Sequence, residues 1–289
     1  MADVQALSLS REDRLRTVAR KAFWRRFRLA FWQVGLDGLA VAIWEIGTRI
    51  PFLSKNFNVF DPFFVSRPSA IILRLYDWTF GAKAGFLWPH LEATLIATLI
   101  GLVLSVSTGF VVGLLFSQKR ELAIVLNPFI VALNSLPRIA FVPLITMIFG
   151  LGLASKVVTA WFIVFFLVFF NTFKGGMAIE KELIEFCRTL GANERQITRS
   201  VRIPNALGWT FTALPNAVSF SLIGVVIAEF VGSTTGMGYL IITSLATLNS
   251  ADMFAALTVL SLVGVVLVSL FKLLERRLMR WSPEFREQG

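Results

Sequence analysis

Chemically reactive side chains are scarce in this chain. It has one cysteine, Cys187, and one histidine, His90, which excludes an internal disulfide and a zinc site of the usual His/Cys kind. Charged residues make up only 16% of the 289, where a soluble domain carries about a quarter. No G-x4-G-K-[S/T] loop occurs, so any ATP must be bound by another chain. The ionisable groups within apolar stretches, among them Asp37, Glu45, Glu92, Arg138 and Glu229, are scattered, whereas an embedded catalytic centre needs them clustered. No catalytic, cofactor-binding or metal-binding residue is expected.

Hydrophobic residues dominate instead, at 56%, with 28 Phe and 8 Trp. That composition points to an all-α membrane protein. About 20 apolar residues cross the ~30 Å hydrocarbon core as a helix. Six segments qualify: 29–48, 90–116, 122–150, 157–172, 206–231 and 254–274. The net charge of +10 is laid out accordingly. Lys and Arg crowd 1–28, 117–120, 174–202 and the C-terminal stretch, while 232–252 has none. Basic flanks mark the cytoplasmic face, so both termini are expected inside, and the charge implies membrane lipid and not nucleic acid. On this reading 1–28 is a basic amphipathic segment on the inner surface, 29–280 the membrane domain and 281–289 a cytoplasmic tail.

Individual spans carry finer signals. Ala93, Ala97, Gly101, Ser105, Gly109 and Gly113 recur every four residues, a ladder of small side chains for close helix packing. The 122–150 segment contains Pro128, Pro137 and Pro143, which predict a helix broken near 135–138. Broken helices at membrane depth line cavities, so Asn134, Pro137 and Arg138 are candidate pathway residues. Arg138 reads equally as an arginine snorkelling to headgroups. In the fifth span Ser219 and Glu229 join the candidates; Glu229 serves either the pathway or a structural hydrogen bond. The stretch 232–252 reads as a Gly/Ser/Thr-rich outer loop.

The longest charged insertion, 185–204, separates the fourth and fifth spans. Leu183, Phe186, Cys187 and Leu190 share one face of a predicted helix. Gly191 ends it as a C′ glycine would. Asn193 caps a second helix with Gln196 as its reciprocal partner. Pro204 forbids that helix from passing Ile203 without a break. Arg195, Arg199 and Arg202 form a basic stripe on it.

The spacing from Glu185 through Gly191 to Val201-Arg202-Ile203-Pro204 resembles the E-A-A-x3-G-x9-I-x-L-P loop of ABC-importer permeases, with Phe186 and Cys187 in place of the two alanines. Leu136-Pro137-Arg138-Ile139-Ala140-Phe141-Val142-Pro143-Leu144, Phe149-Gly150-Leu151-Gly152 and Ala228-Glu229 are similar to the nitrate/sulfonate/taurine/bicarbonate branch. The resemblance implies a type I ABC importer permease fold with six transmembrane helices in a bacterial inner membrane. It further implies a second copy of the chain, two cytoplasmic ATPase subunits and an external solute-binding protein. Residues 180–204 would be the coupling loop, with Leu183, Glu185, Phe186, Leu190, Gly191, Ala192 and Pro204 meeting or shaping the ATPase contact. The cargo would be a small solute such as a sulfonate, taurine or nitrate. An ion-coupled secondary transporter is the alternative, since it needs only one or two buried acids.

Overall fold

The computed structural model describes residues 2–118, 125, 128–129, 132–133 and 135–279, with side chains from Trp24 onward apart from 26, 30 and 55. Every regular element among them is helical. Among the described residues, five helices are long and apolar enough to cross a membrane: Phe27–Arg49, Leu87–Ser117, Leu153–Met177, Glu194–Val231 and Ser250–Leu278. The protein is thus an all-α, multi-pass membrane protein. The remaining expected span, 122–150, is described mainly in its second half. The tail 281–289 lies outside the described residues.

Two compact units, 1–72 and 73–289, divide the chain. In the first, helix α1 (Ala2–Arg49) runs 48 residues without interruption, so the basic segment 1–28 and the first span share one helix. Short helices α2 (Pro51–Asn56) and α3 (Pro62–Val65) lead to α4 (Pro68–Thr79). Of the two acids in the first span, Asp37 is exposed. Glu45 takes hydrogen bonds from the Ser69 amide (3.0 Å) and hydroxyl (2.9 Å). A carboxylate there sits at the positive end of α4.

In the second unit, α5 (Leu87–Ser117) is followed by a 3-10 turn (Arg138–Phe141), α6 (Val142–Phe149) and α7 (Leu153–Met177). Then come α8 (Lys181–Thr189), α9 (Glu194–Ile197) and a π-turn (Thr198–Arg202). Three helices complete it: α10 (Ile203–Val231), α11 (Met237–Ala246) and α12 (Ser250–Leu278). The interruption expected around 135–138 is present, with Pro137 just ahead of the 3-10 turn.

The core is a triangle of α5, α7 and α10, with α12 against α10. Leu102, Val164, Val168, Ala217, Val218 and Leu267 form one buried cluster, and Ala97, Val157, Ala160 and Val225 another. The small-residue ladder explains the tightest seam. Ala97, Gly101, Ser105, Gly109 and Gly113 are all buried. A Cβ at Gly101 would stand 2.6 Å from that of Ala160, and one at Gly113 would stand 2.8 Å from the carbonyl oxygen of Phe169. Ser105 donates to the Gly101 carbonyl of its own helix (2.6 Å) and lies within reach of the Trp161 carbonyl across the seam (3.2 Å).

The stretch 232–252 is more ordered than an outer loop. Ten of its residues form α11, whose Met237, Leu240, Ile241 and Ser244 are buried at i, i+3, i+4 and i+7. That apolar periodicity lies behind the Gly and Thr residues that dominate the start of the stretch.

Filling the seam should destabilise the bundle. Gly109→Leu overpacks α5 against α7, where insertion of extra carbons costs about 1–3 kcal/mol or more. Thermal unfolding of detergent-purified protein is expected to fall well below that of wild type. Ser107→Leu, on the exposed side of the same helix, should leave it unchanged.

Candidate functional site

The charged insertion folds as its residues dictate. Leu183 and Phe186 of α8 and Leu190 at its C-cap stay 45%, 60% and 71% exposed, and no residue of this helix is buried. Glu185 is also exposed, Cys187 and Ala192 half-buried. Gly191 turns the chain at φ +83°, the left-handed region that glycine enters freely. Its N–H donates to Arg188 O (2.9 Å), and that of Ala192 to Cys187 O (3.0 Å). Asn193 and Gln196 then make the reciprocal capping box: the Asn193 side chain accepts from the Gln196 amide (2.9 Å), and the Gln196 side chain accepts from the Asn193 amide (2.8 Å).

Beyond the cap, the helix does pass Ile203, with a break in its regular pattern just ahead of Pro204. It passes from α9 through the π-turn into α10, whose first turn contains Pro204. Proline lacks an N–H and collides with the carbonyl four residues back, so an α-turn fails there. A π-turn uses i→i+5 bonds and supplies the wider ring, so the break takes the form of a bulge inside a continuous helix. The basic stripe is split as well. Arg195 and Arg199 are exposed, whereas Arg202 is buried and turned toward Glu194.

The pathway candidates occupy three separate surroundings, and Asn134 lies outside the described residues. Pro137 is exposed. Arg138 is half-buried, donates to the Ile163 carbonyl at 3.4 Å and stands 5.1 Å from the Phe166 ring centroid. Ser219 lines a groove of about 680 Å³ between α10 and α12, alongside Leu222, Val226, Gly264, Val268 and Lys272.

Glu229 belongs to a closed polar node. Its carboxylate is fully buried, 3.0 Å from the ammonium of Lys156, whose side chain is 3% exposed. Thr94 donates to the same carboxylate (2.9 Å), as does the Gly238 amide (2.7 Å). The Met237 N–H donates to the Thr94 hydroxyl (2.8 Å), the Gly236 N–H to His90 Nδ1 (3.1 Å), and Lys156 to the Thr235 carbonyl. Three consecutive amides at the start of α11 are thus satisfied by side chains of α5 and α10. A Cβ at Gly236 (φ +125°) would collide with the carboxylate, and one at Gly238 would collide with the Glu229 Cβ and the Val226 carbonyl oxygen.

Lys156 and Thr94 were not expected to meet Glu229, nor His90 to join the node through Gly236. Lys156 comes just before the apolar run of the fourth span and reads from sequence as a residue at its edge. A signal was nonetheless present: an acid deep in one span calls for a base at like depth in another.

Losing one partner of a buried ion pair strands the other, which costs about 3–5 kcal/mol, whereas replacing both by apolar groups is often near neutral. Lys156→Met and Glu229→Met should each lower the thermal unfolding temperature sharply. The double variant should recover much of the loss. Equal, additive losses would show that the two side chains do not depend on each other.

Comparison with known proteins agrees with this architecture. Residues 101–280 match the family described as binding-protein-dependent transport system inner membrane component. The riboflavin transport system permease protein RibX of Chloroflexus aurantiacus is 32% identical, over 84% of this chain and 87% of that protein. The formylaminopyrimidine transport permease protein ThiX of Halalkalibacterium halodurans is 29% identical, over 85% and 94%. The taurine transport system permease protein TauC of Escherichia coli is 24% identical, over 96% and 99%. Among solved structures, the inward-facing MetNI methionine ABC transporter matches 67% of this chain and 94% of its own at a TM-score of 0.56 and 22% identity, a likeness of fold. With the family match running from Gly101, within α5, through α12 and taking in the α8 elbow, this chain belongs to the inner-membrane permeases of binding-protein-dependent ABC transport systems.

Proposed function

We propose that two copies of this chain form the translocation pathway of an ATP-driven importer, and that the 180–204 segment is where each copy meets a cytoplasmic ATPase. One observation carries the reading: α8 is an amphipathic helix whose apolar edge, Leu183, Phe186 and the C-cap Leu190, stays exposed among the described residues. On a helix flanked by the charged residues Lys181, Glu182, Glu185 and Arg188, such an edge is energetically at home in a groove of another protein. Glu185 and Gly191 set the coupling helix, Gly191 through the angle at which the edge is presented; Ala192 follows the elbow, and Pro204 begins the span that would carry the motion.

In this mechanism ATP-driven closure of the two ATPases displaces the paired α8 helices. The bundles then pass between inward-open and outward-open states, and a solute-binding protein delivers cargo on the outer side. Both termini lie in the cytoplasm, as the basic flanks favour. The solute class is a small organic or inorganic anion such as a sulfonate, taurine or nitrate. Support comes from the relatives named for taurine and for aliphatic sulfonates, the latter 27% identical in Bacillus subtilis. Asn134, Pro137, Arg138 and Ser219 remain the proposed pathway residues. Glu229, enclosed by its node, would act on the pathway through the position of α11.

The paired substitution Leu183→Asp with Phe186→Asp should abolish co-purification of the ATPase while the chain still inserts in the membrane. Gly191→Pro fixes φ near −65° where +83° is needed; stimulation of ATP hydrolysis by the binding protein should then be lost although the chain inserts normally. For the cargo, proteoliposomes of the full complex should take up taurine only with ATP inside the cytoplasmic compartment, in competition with aliphatic sulfonates. Uptake driven by an ion gradient without the ATPase would overturn the importer reading.

A further inference from the structure

The 180–204 segment contains two places where movement can dissipate before it reaches the membrane. The first is the elbow. Gly191 has no side chain, is exposed, and has open space where a Cβ would stand, so packing does not fix its angle. The second is the π-turn at Thr198–Arg202, whose i→i+5 bonds are a local departure from the regular helix.

One carboxylate spans both. Glu194 Oε1 accepts from Arg188 Nη2 (2.6 Å) and Nε (3.2 Å), closing the elbow from the α8 side. Glu194 Oε2 lies 3.5 Å from Arg202 Nη2, reaching across the π-turn to its last residue, the N-cap of α10. The Asn193–Gln196 capping box fixes where this residue stands, the first position of α9. The Arg202 side chain is 9% exposed, and a charge so enclosed keeps its acidic partner in place. An exposed ion pair adds little stability by itself. Here two contacts close a triangle across a hinge, with two nitrogens of the Arg188 guanidinium converging on Oε1 and Arg202 on Oε2.

We propose that Glu194 is a positioning residue: a strut that makes α8, the Gly191 elbow and the base of α10 one stiff lever, so that displacement of α8 turns the fifth span instead of flexing the elbow. The proposal rests on the ATPase-coupling reading above. It assigns a role to an acid that no motif in the chain singles out.

The test uses the full complex with its ATPase in lipid nanodiscs. The chain carries Cys187→Ser and spin labels at Lys181→Cys on α8 and Thr212→Cys on α10. In this parent, diluted with unlabelled chain so that a complex carries one labelled copy, the label-to-label distance should be single and narrow, and unchanged when ATP is added. Glu194→Gln should broaden it and make it shift with ATP, and Glu194→Asp should lie between. Raising salt from ~0.1 to ~1 M, which shortens the screening length from about 10 to about 3 Å, should broaden the parent and leave the Glu194→Gln distribution as it was. A narrow, ATP-independent distance in Glu194→Gln overturns the strut while leaving the coupling reading intact. Loss of the ATPase from the Glu194→Gln complex also overturns it, since the residue would then belong to the docking surface. Absence of the ATPase from the parent complex removes the coupling reading itself, and the strut with it.

Discussion

In hydrocarbon two helices gain little by hiding apolar side chains from solvent, so what holds α5 to α7 is closeness. The residues that permit it, Gly101, Ser105, Gly109 and Gly113, place one backbone directly on the other. At that separation dispersion contacts accumulate and polar groups reach across: Ser105 toward the Trp161 carbonyl, and Trp161 Nε1 to the Thr108 hydroxyl at 3.0 Å. With α10 laid across the pair, Thr94, Lys156 and Glu229 converge from three helices. The seam is therefore a precondition for the buried node.

The node in turn explains why a short apolar helix sits where an outer loop was expected. The first amides of a helix have no partners within it, and within a membrane no water is at hand to replace them. Glu229, Thr94 and His90 supply acceptors to Gly238, Met237 and Gly236 in turn. Lys156 then balances the carboxylate that does the capping. Chain entry into α11 is thus held by chemistry that belongs to the bundle, and α11 packs with α5, α10 and α12 as part of it.

What could be read from residues in order was what is decided locally. The four-residue recurrence of small side chains, the proline break near 137, the glycine elbow and the Asn193–Gln196 cap each depend on neighbours within a few positions, and each is present in the fold. The ion pair was not legible because its partners stand 73 residues apart and meet through helix packing. α11 was missed because Gly236 and Gly238 serve close approach to Glu229, while in sequence they signal a loop. At Pro204 the local rule was sound but incomplete. Proline excludes an α-turn there, yet a wider turn satisfies the same constraint without ending the helix. Among the site candidates, the exposed edge of α8 followed from periodicity, whereas the enclosure of Glu229 required the fold.

The π-turn also sets a phase. A helix advances about 100° per residue, and a π-turn accommodates one residue beyond the regular repeat. Angular alignment between the water-facing arm at Asn193–Gln196 and the lipid-embedded stretch beyond Pro204 therefore depends on the number of residues between them. Because the wider turn absorbs that extra residue, the loss of one residue within Thr198–Arg202 would be taken up by a return to regular helix. The same loss in the regular turns beside it would swing the coupling arm by more than a quarter turn about the span it drives. In this permease the π-turn is the one point of the arm where residue count and direction are uncoupled.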